Sequence, residues 1–132
     1  MVGIVLVSHS QKLVEGLQEL VRPLGGGKVL VAIAGGGPQG ELGTSTEKIQ
    51  MAIETVAGPE GVLVLVDLGS AVLASEAAIE MLPPPPKGKV LLSSAPLVEG
   101  AITAVIHSGL GDSLDNVLYA VEEARNMPKN LE

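Results

Sequence analysis

Cysteine is absent from the 132-residue chain, which removes disulfides, thiolate metal sites and cysteine nucleophiles together and leaves the redox compartment undetermined. Aromatic residues amount to 1%, one tyrosine with no tryptophan or phenylalanine, so there is almost no surface on which bases could stack. Cations are scarce as well: 8 Lys and Arg stand against 15 Asp and Glu, a formal charge of -7. That balance repels a phosphate backbone, and no nucleic-acid partner is expected. The mean hydropathy is high at +0.44, yet no apolar run approaches the roughly 18 residues of a membrane-spanning helix, so no membrane insertion is expected. The start of the chain lacks the basic stretch and small-residue cleavage site of a secretion signal, and a cytoplasmic location is expected. The two histidines, His9 and His107, lie far apart without clustered acids, which gives no metal signature and no expected cofactor.

What the chain has in plenty is Val, Leu, Ile and Ala within its 46% of hydrophobic residues, the usual filling of buried parallel sheets. Its length suits one domain, 1–132. Four short apolar runs, at 2–7, 28–34, 62–66 and 89–92, read as strands, and each precedes a helical stretch. The first run does not alternate with polar residues, so it is expected to be buried on both faces. After it, Leu13, Val14, Leu17, Leu20 and Val21 share a stripe, with Ser8 and Gln11 spaced as a capping box. Thr44 and Glu47 repeat that spacing before Ile49, Ala52, Ile53 and Val56, and Ser70 is placed to cap a third helix running to about Leu82. Four prolines at 83–86 then form a stiff extended connector. A helix over 97–108 and a last one capped by Asp112 complete a βαβαβαβαα order. Alternation of this kind predicts an α/β fold: a four-stranded parallel open sheet, flavodoxin-like order 2-1-3-4, helices on both faces.

In such a sheet ligands bind beyond the carboxyl ends of the strands, where strand order reverses. His9 follows the first strand and Asp67 the third, and those two strands are expected to be neighbours about 4.8 Å apart. The two side chains would then meet. A carboxylate that accepts the Nδ1 proton fixes the imidazole tautomer and leaves the Nε2 lone pair as a nucleophile. Serine and glycine beside the pair, with two helix N-termini, suit an oxyanion. Ser10, Thr44, Gly69 and Ser70 are therefore candidate phosphate or partner contacts, although Thr44, Ser45 and Ser70 have prior uses as helix caps. No serine nucleophile with a matching triad is apparent, and phosphoryl transfer to His9 fits better than hydrolysis. Gly35, Gly36 and Gly37 lack the ending of a P-loop and read as a flexible turn. His107 sits in the last turn of its helix, where a cation suits the dipole, and reads as structural.

With those residues placed, the segments "VLVSHS", "GTSTEKI", "VLVLVDLGSA" and "SAPLVEGA" resemble the DhaM family, phosphoryl-carrying subunits of phosphotransferase-dependent dihydroxyacetone kinases. The likeness runs over about residues 1–124. The broader superfamily is that of mannose-type IIA components. The resemblance implies a covalent phosphohistidine relay: His9, phosphorylated at Nε2 and oriented by Asp67, takes a phosphoryl group from HPr. It passes that group to ADP on the DhaL subunit, with DhaK downstream holding dihydroxyacetone, and it works as a homodimer. Some members of the family continue into HPr-like and enzyme-I-like domains, so here those activities are expected from separate proteins.

Three other readings stand beside this one. A signalling receiver would need an acidic pair after the first strand and a late lysine, where this chain has "SHS" and "SSAP". A noncatalytic anion-binding module would use His9 as a contact only. A mannose-type sugar-transport IIA component would share both His9 and Asp67 and differ in its acceptor.

Overall fold

The computed structural model describes residues 1–83 and 88–129. The chain runs β1 (Gly3–Ser8), α1 (Gln11–Val21), a 3-10 turn (Arg22–Gly25), β2 (Val31–Gly35), α2 (Thr46–Val56), β3 (Val62–Val66), α3 (Gly69–Glu80), β4 (Val90–Ser93), α4 (Leu97–Gly109), α5 (Leu114–Glu122) and a closing 3-10 turn (Glu123–Asn126). All strand pairs are parallel, and the sheet order is β2-β1-β3-β4. The expected fold class and strand order are thus present. The proline connector falls largely on 84–87, outside the described residues.

Strand pleating divides the core in two. Ile4 and Leu6 of β1, with Leu63 and Leu65 of β3, face α1, α4 and α5, where Val14, Leu17, Ala101, Val105 and Val117 cover them. Val5 and Val7, with Val64 and Val66, face α2 and α3 and meet Ile49, Ile53, Ala71 and Ala78. Each central strand is therefore buried on both sides, which is why its apolar run does not alternate. Close approach is built in at Gly3, where a Cβ would lie 2.5 Å from the Val56 carbonyl oxygen. That contact lets the end of α2 press onto the start of β1.

Several local expectations are corrected. Lys28, Val29 and Leu30 precede β2, because Gly26 and Gly27 turn with positive φ and the ladder to β1 begins only at the Leu30 carbonyl. Ser10, not Ser8, caps α1 by accepting from Leu13 N–H, and Ser45, not Thr44, caps α2 by accepting from Lys48 N–H. Ser113 rather than Asp112 caps α5, since Asp112 is held by His107 at 2.7 Å. Helix α3 starts after Leu68, which has no side-chain cap, so Ser70 lies inside the first turn and its hydroxyl is left for other use. The outer edge of β2 is partly closed by side chains: Gln18 donates to the Val31 carbonyl and Lys48 to that of Gly35.

Candidate functional site

Parallel pairing of β1 with β3 sets Val7 opposite Val66, so His9 and Asp67 leave the sheet side by side, one or two residues beyond its edge. His9 Nδ1 lies 3.0 Å from Asp67 Oδ1. The carboxylate is held from four directions. Its Oδ2 accepts from the Ser8 hydroxyl at 2.8 Å and from the His9 backbone N–H at 3.0 Å, while Oδ1 also accepts from Leu68 N–H at 2.7 Å. Burial pushes the Asp67 carboxyl up. The bonds from His9 N–H, the Ser8 hydroxyl, the His9 ring and Leu68 N–H outweigh it and hold the group below the ordinary carboxylate range. A carboxylate only accepts, so Nδ1 is the protonated nitrogen and, in the tautomer this selects, the lone pair is on Nε2.

That lone pair points at Ser70, whose Oγ lies 2.5 Å from Nε2. The position of Ser70 one residue inside α3 brings this about. The resulting Ser70–His9–Asp67 line is a serine–histidine–carboxylate arrangement that the order of residues along the chain did not reveal. Ser70 is exposed and His9 half-buried, so the pair opens to solvent. A group bonded to Nε2 would displace the Ser70 hydroxyl from its present place and leave it beside that group as a donor.

The other expected contacts divide. Gly69 opens α3 next to Ser70. Ser10 Oγ accepts from Leu13 N–H and the Ser10 N–H donates to Ser8 Oγ, so Ser10 acts first as a cap. Thr44 is half-buried before α2, and the nearby loop touches the histidine segment through Gly43 N–H donating to the His9 carbonyl. The glycine segment is a turn, with Gly36 at φ 75. Its N–H groups are spent internally, Gly36 on the Ser8 carbonyl and Gly37 on that of Glu41, which leaves no open anion nest there. His107 pairs with Asp112 at the far end of α4, as the structural reading holds. Sequence reasoning missed Ser8 as a holder of Asp67; the available signal was its place at the strand end beside His9.

Comparison with known proteins places these features in a family. Residues 3–118 match the family model of the PTS system fructose IIA component. The chain is 44% identical over 122 residues to "PEP-dependent dihydroxyacetone kinase, phosphoryl donor subunit DhaM" of Escherichia coli (strain K12), with 90% of this chain and 26% of that protein covered. Over 118 residues it is 42% identical to "PEP-dependent dihydroxyacetone kinase 2, phosphoryl donor subunit DhaM" of Listeria innocua serovar 6a, covering 89% of this chain and 94% of that protein. It spans about a quarter of the length of the Escherichia coli and Klebsiella michiganensis relatives, 26% and 27%. Among solved structures, the unknown-function protein EF1359 superposes with TM-score 0.80 at 33% identity, covering 100% of this chain and 99% of that one. A phosphotransferase system component EIIA from Streptococcus agalactiae gives TM-score 0.68 at 19% identity, covering 96% and 93%, and so shares the fold.

Proposed function

This chain belongs to the family of PTS system fructose IIA components, among relatives named as DhaM phosphoryl donor subunits, and on that basis we propose that it is a phosphohistidine carrier. The observation that carries the reading is the imidazole of His9, bound at Nδ1 by a carboxylate that is itself held by Ser8, His9 N–H and Leu68 N–H. In the proposed cycle HPr presents its phosphorylated histidine. The Nε2 lone pair of His9 attacks phosphorus, the new P–N bond forms, and the donor imidazole leaves with the old bonding pair. Asp67 offsets the positive phosphoimidazole and keeps the Nδ1 proton in place, so no proton need move. Ser70, with Gly69 beside it at the start of α3, is next to the phosphoryl group in this reading, and Ser10 and Thr44 are further candidate contacts. The second transfer goes to ADP on DhaL, DhaK phosphorylates dihydroxyacetone downstream, and the carrier needs no dissociable cofactor. No described helix is long and apolar enough to cross a membrane.

Incubation with phosphoenolpyruvate, enzyme I and HPr should label His9 through a bond that acid breaks and alkali spares, and His9→Ala should abolish it. Ser70→Ala separates this reading from hydrolysis by the Ser70–His9–Asp67 line, because a carrier keeps its label at His9 without the serine whereas a serine nucleophile does not. Discharge of the label onto DhaL with ADP, and not onto a membrane sugar permease, is the expected second half. Label that persists in His9→Ala, or that only a permease removes, would contradict the proposal.

A further inference from the structure

Beyond Asp67, on the side away from β1, lies a cleft of about 380 Å³ between the first turn of α3 and the segment leading into α4. Asp67, Leu68, Gly69, Ser94, Pro96 and Arg125 line it. Arg125 is the one cation among these lining residues, in a chain of net charge -7. It stands on an anchored mount. Buried Ser93 of β4 donates to Glu122 Oε2 at 2.6 Å, and Arg125 Nε donates to the Glu122 carbonyl at 3.0 Å. Its Nη2 reaches Glu122 Oε2 at 3.4 Å and Ser94 Oγ at 3.5 Å. These contacts occupy Nε and Nη2, and among the described residues Nη1 has no acceptor, so part of the guanidinium fork still faces the cleft.

We infer that Arg125 is a positioning residue for the acceptor half of the cycle, binding the inner phosphate of a nucleoside diphosphate acceptor; this rests on the carrier reading above. The two half-reactions differ in the number of phosphates they bring. A phosphohistidine donor brings a single phosphoryl group, which ends on His9 Nε2 and makes no demand on the cleft. A nucleoside diphosphate brings two. Its terminal oxygen attacks phosphorus, the O–P bond forms, and the P–Nε2 bond breaks with its electron pair returning to Nε2, while the Nδ1 proton stays against Asp67. An inner phosphate seated in the cleft would face the Asp67 carboxylate that lines it, and the Arg125 guanidinium would offset that repulsion.

The test is to time both half-reactions separately in Arg125→Gln and Arg125→Lys. Labelling by phosphorylated HPr should stay within about twofold of wild type, whereas discharge of the labelled carrier onto DhaL loaded with ADP should slow about tenfold in the glutamine variant and recover in part with lysine. Discharge of Arg125→Gln at the wild-type rate overturns the inference and leaves the carrier standing. Equal slowing of both steps, unrelieved by lysine, also overturns it, by marking Arg125 as structural. Wild-type protein that never takes label at His9 overturns the carrier reading, and this inference with it.

Discussion

Replacing Asp67 by asparagine removes one charge and one acceptor while keeping the shape of the side chain, and the geometry around the carboxylate sets the cost. Four donors converge on it, the His9 ring and Leu68 N–H on Oδ1, the Ser8 hydroxyl and His9 N–H on Oδ2. An amide has a single oxygen. Turned toward Oδ2, it sets its NH₂ against Nδ1, so the imidazole must shift its proton to Nε2 and lose the nucleophilic lone pair. Turned toward Oδ1, it keeps the tautomer but leaves His9 N–H without an acceptor, at about 1–3 kcal/mol. Either way the charge opposite the phosphoimidazole is lost. At 3.0 Å that attraction spans about 1.4 kcal/mol with water-like screening to about 5.5 kcal/mol at an effective dielectric of about 20. With side chains 24% and 15% exposed, a middle value of about 3 kcal/mol applies, roughly a hundredfold in transfer rate. Rapid-quench labelling from phosphorylated HPr measures that rate, and ¹⁵N shifts of the imidazole report the tautomer. Transfer within about threefold of wild type, with an unchanged ring spectrum, would show that Asp67 neither sets the tautomer nor offsets the charge.

The same carboxylate makes a pH prediction. Its native pKa lies below the ordinary value of 3.8, so its contribution to stability is present above that value and is lost as pH falls through the lowered native one; urea unfolding followed from about pH 5 down to about pH 2 should show a shallower acid loss in Asp67→Asn than in wild type, and equal slopes would count against it. Ser75 on α3 is wholly buried and its Oγ has no partner among the described residues. Ser75→Ala should therefore raise the urea midpoint, by about 1 kcal/mol in stability, and a lower midpoint would mean the hydroxyl has a use. Exposed Leu20, Leu30 and Leu110, 51%, 60% and 72% accessible, together with the place of β4 at an edge of the sheet, lead us to expect a homodimer that leaves the strand ends free. Sedimentation at micromolar concentration that returned only the 13.4 kDa species would rule it out.

Much of this architecture is legible in the chain itself, because the signals involved are local. Unbroken valine and leucine runs separated by helical stripes specify strands covered on both faces, and alternation with helices admits little besides a parallel sheet. The same rule places His9 and Asp67 at strand ends, where a parallel open sheet collects its functional groups. Helix starts were less legible, since adjacent serines and threonines compete for each cap. Ser8 against Ser10, and Thr44 against Ser45, were decided by where the backbone leaves its extended conformation, a matter of packing and not of propensity. Only the tertiary structure could turn Ser8 and Leu68 N–H onto Asp67, set Ser70 at 2.5 Å from Nε2, and bring Arg125 to the cleft beside Asp67. Ser70 is 61 positions from His9 in sequence, and Arg125 is 31 from Ser94. Separations of that size are closed by the register of β1 on β3 and by the packing of the last helix against the sheet, neither of which any short stretch of sequence encodes alone.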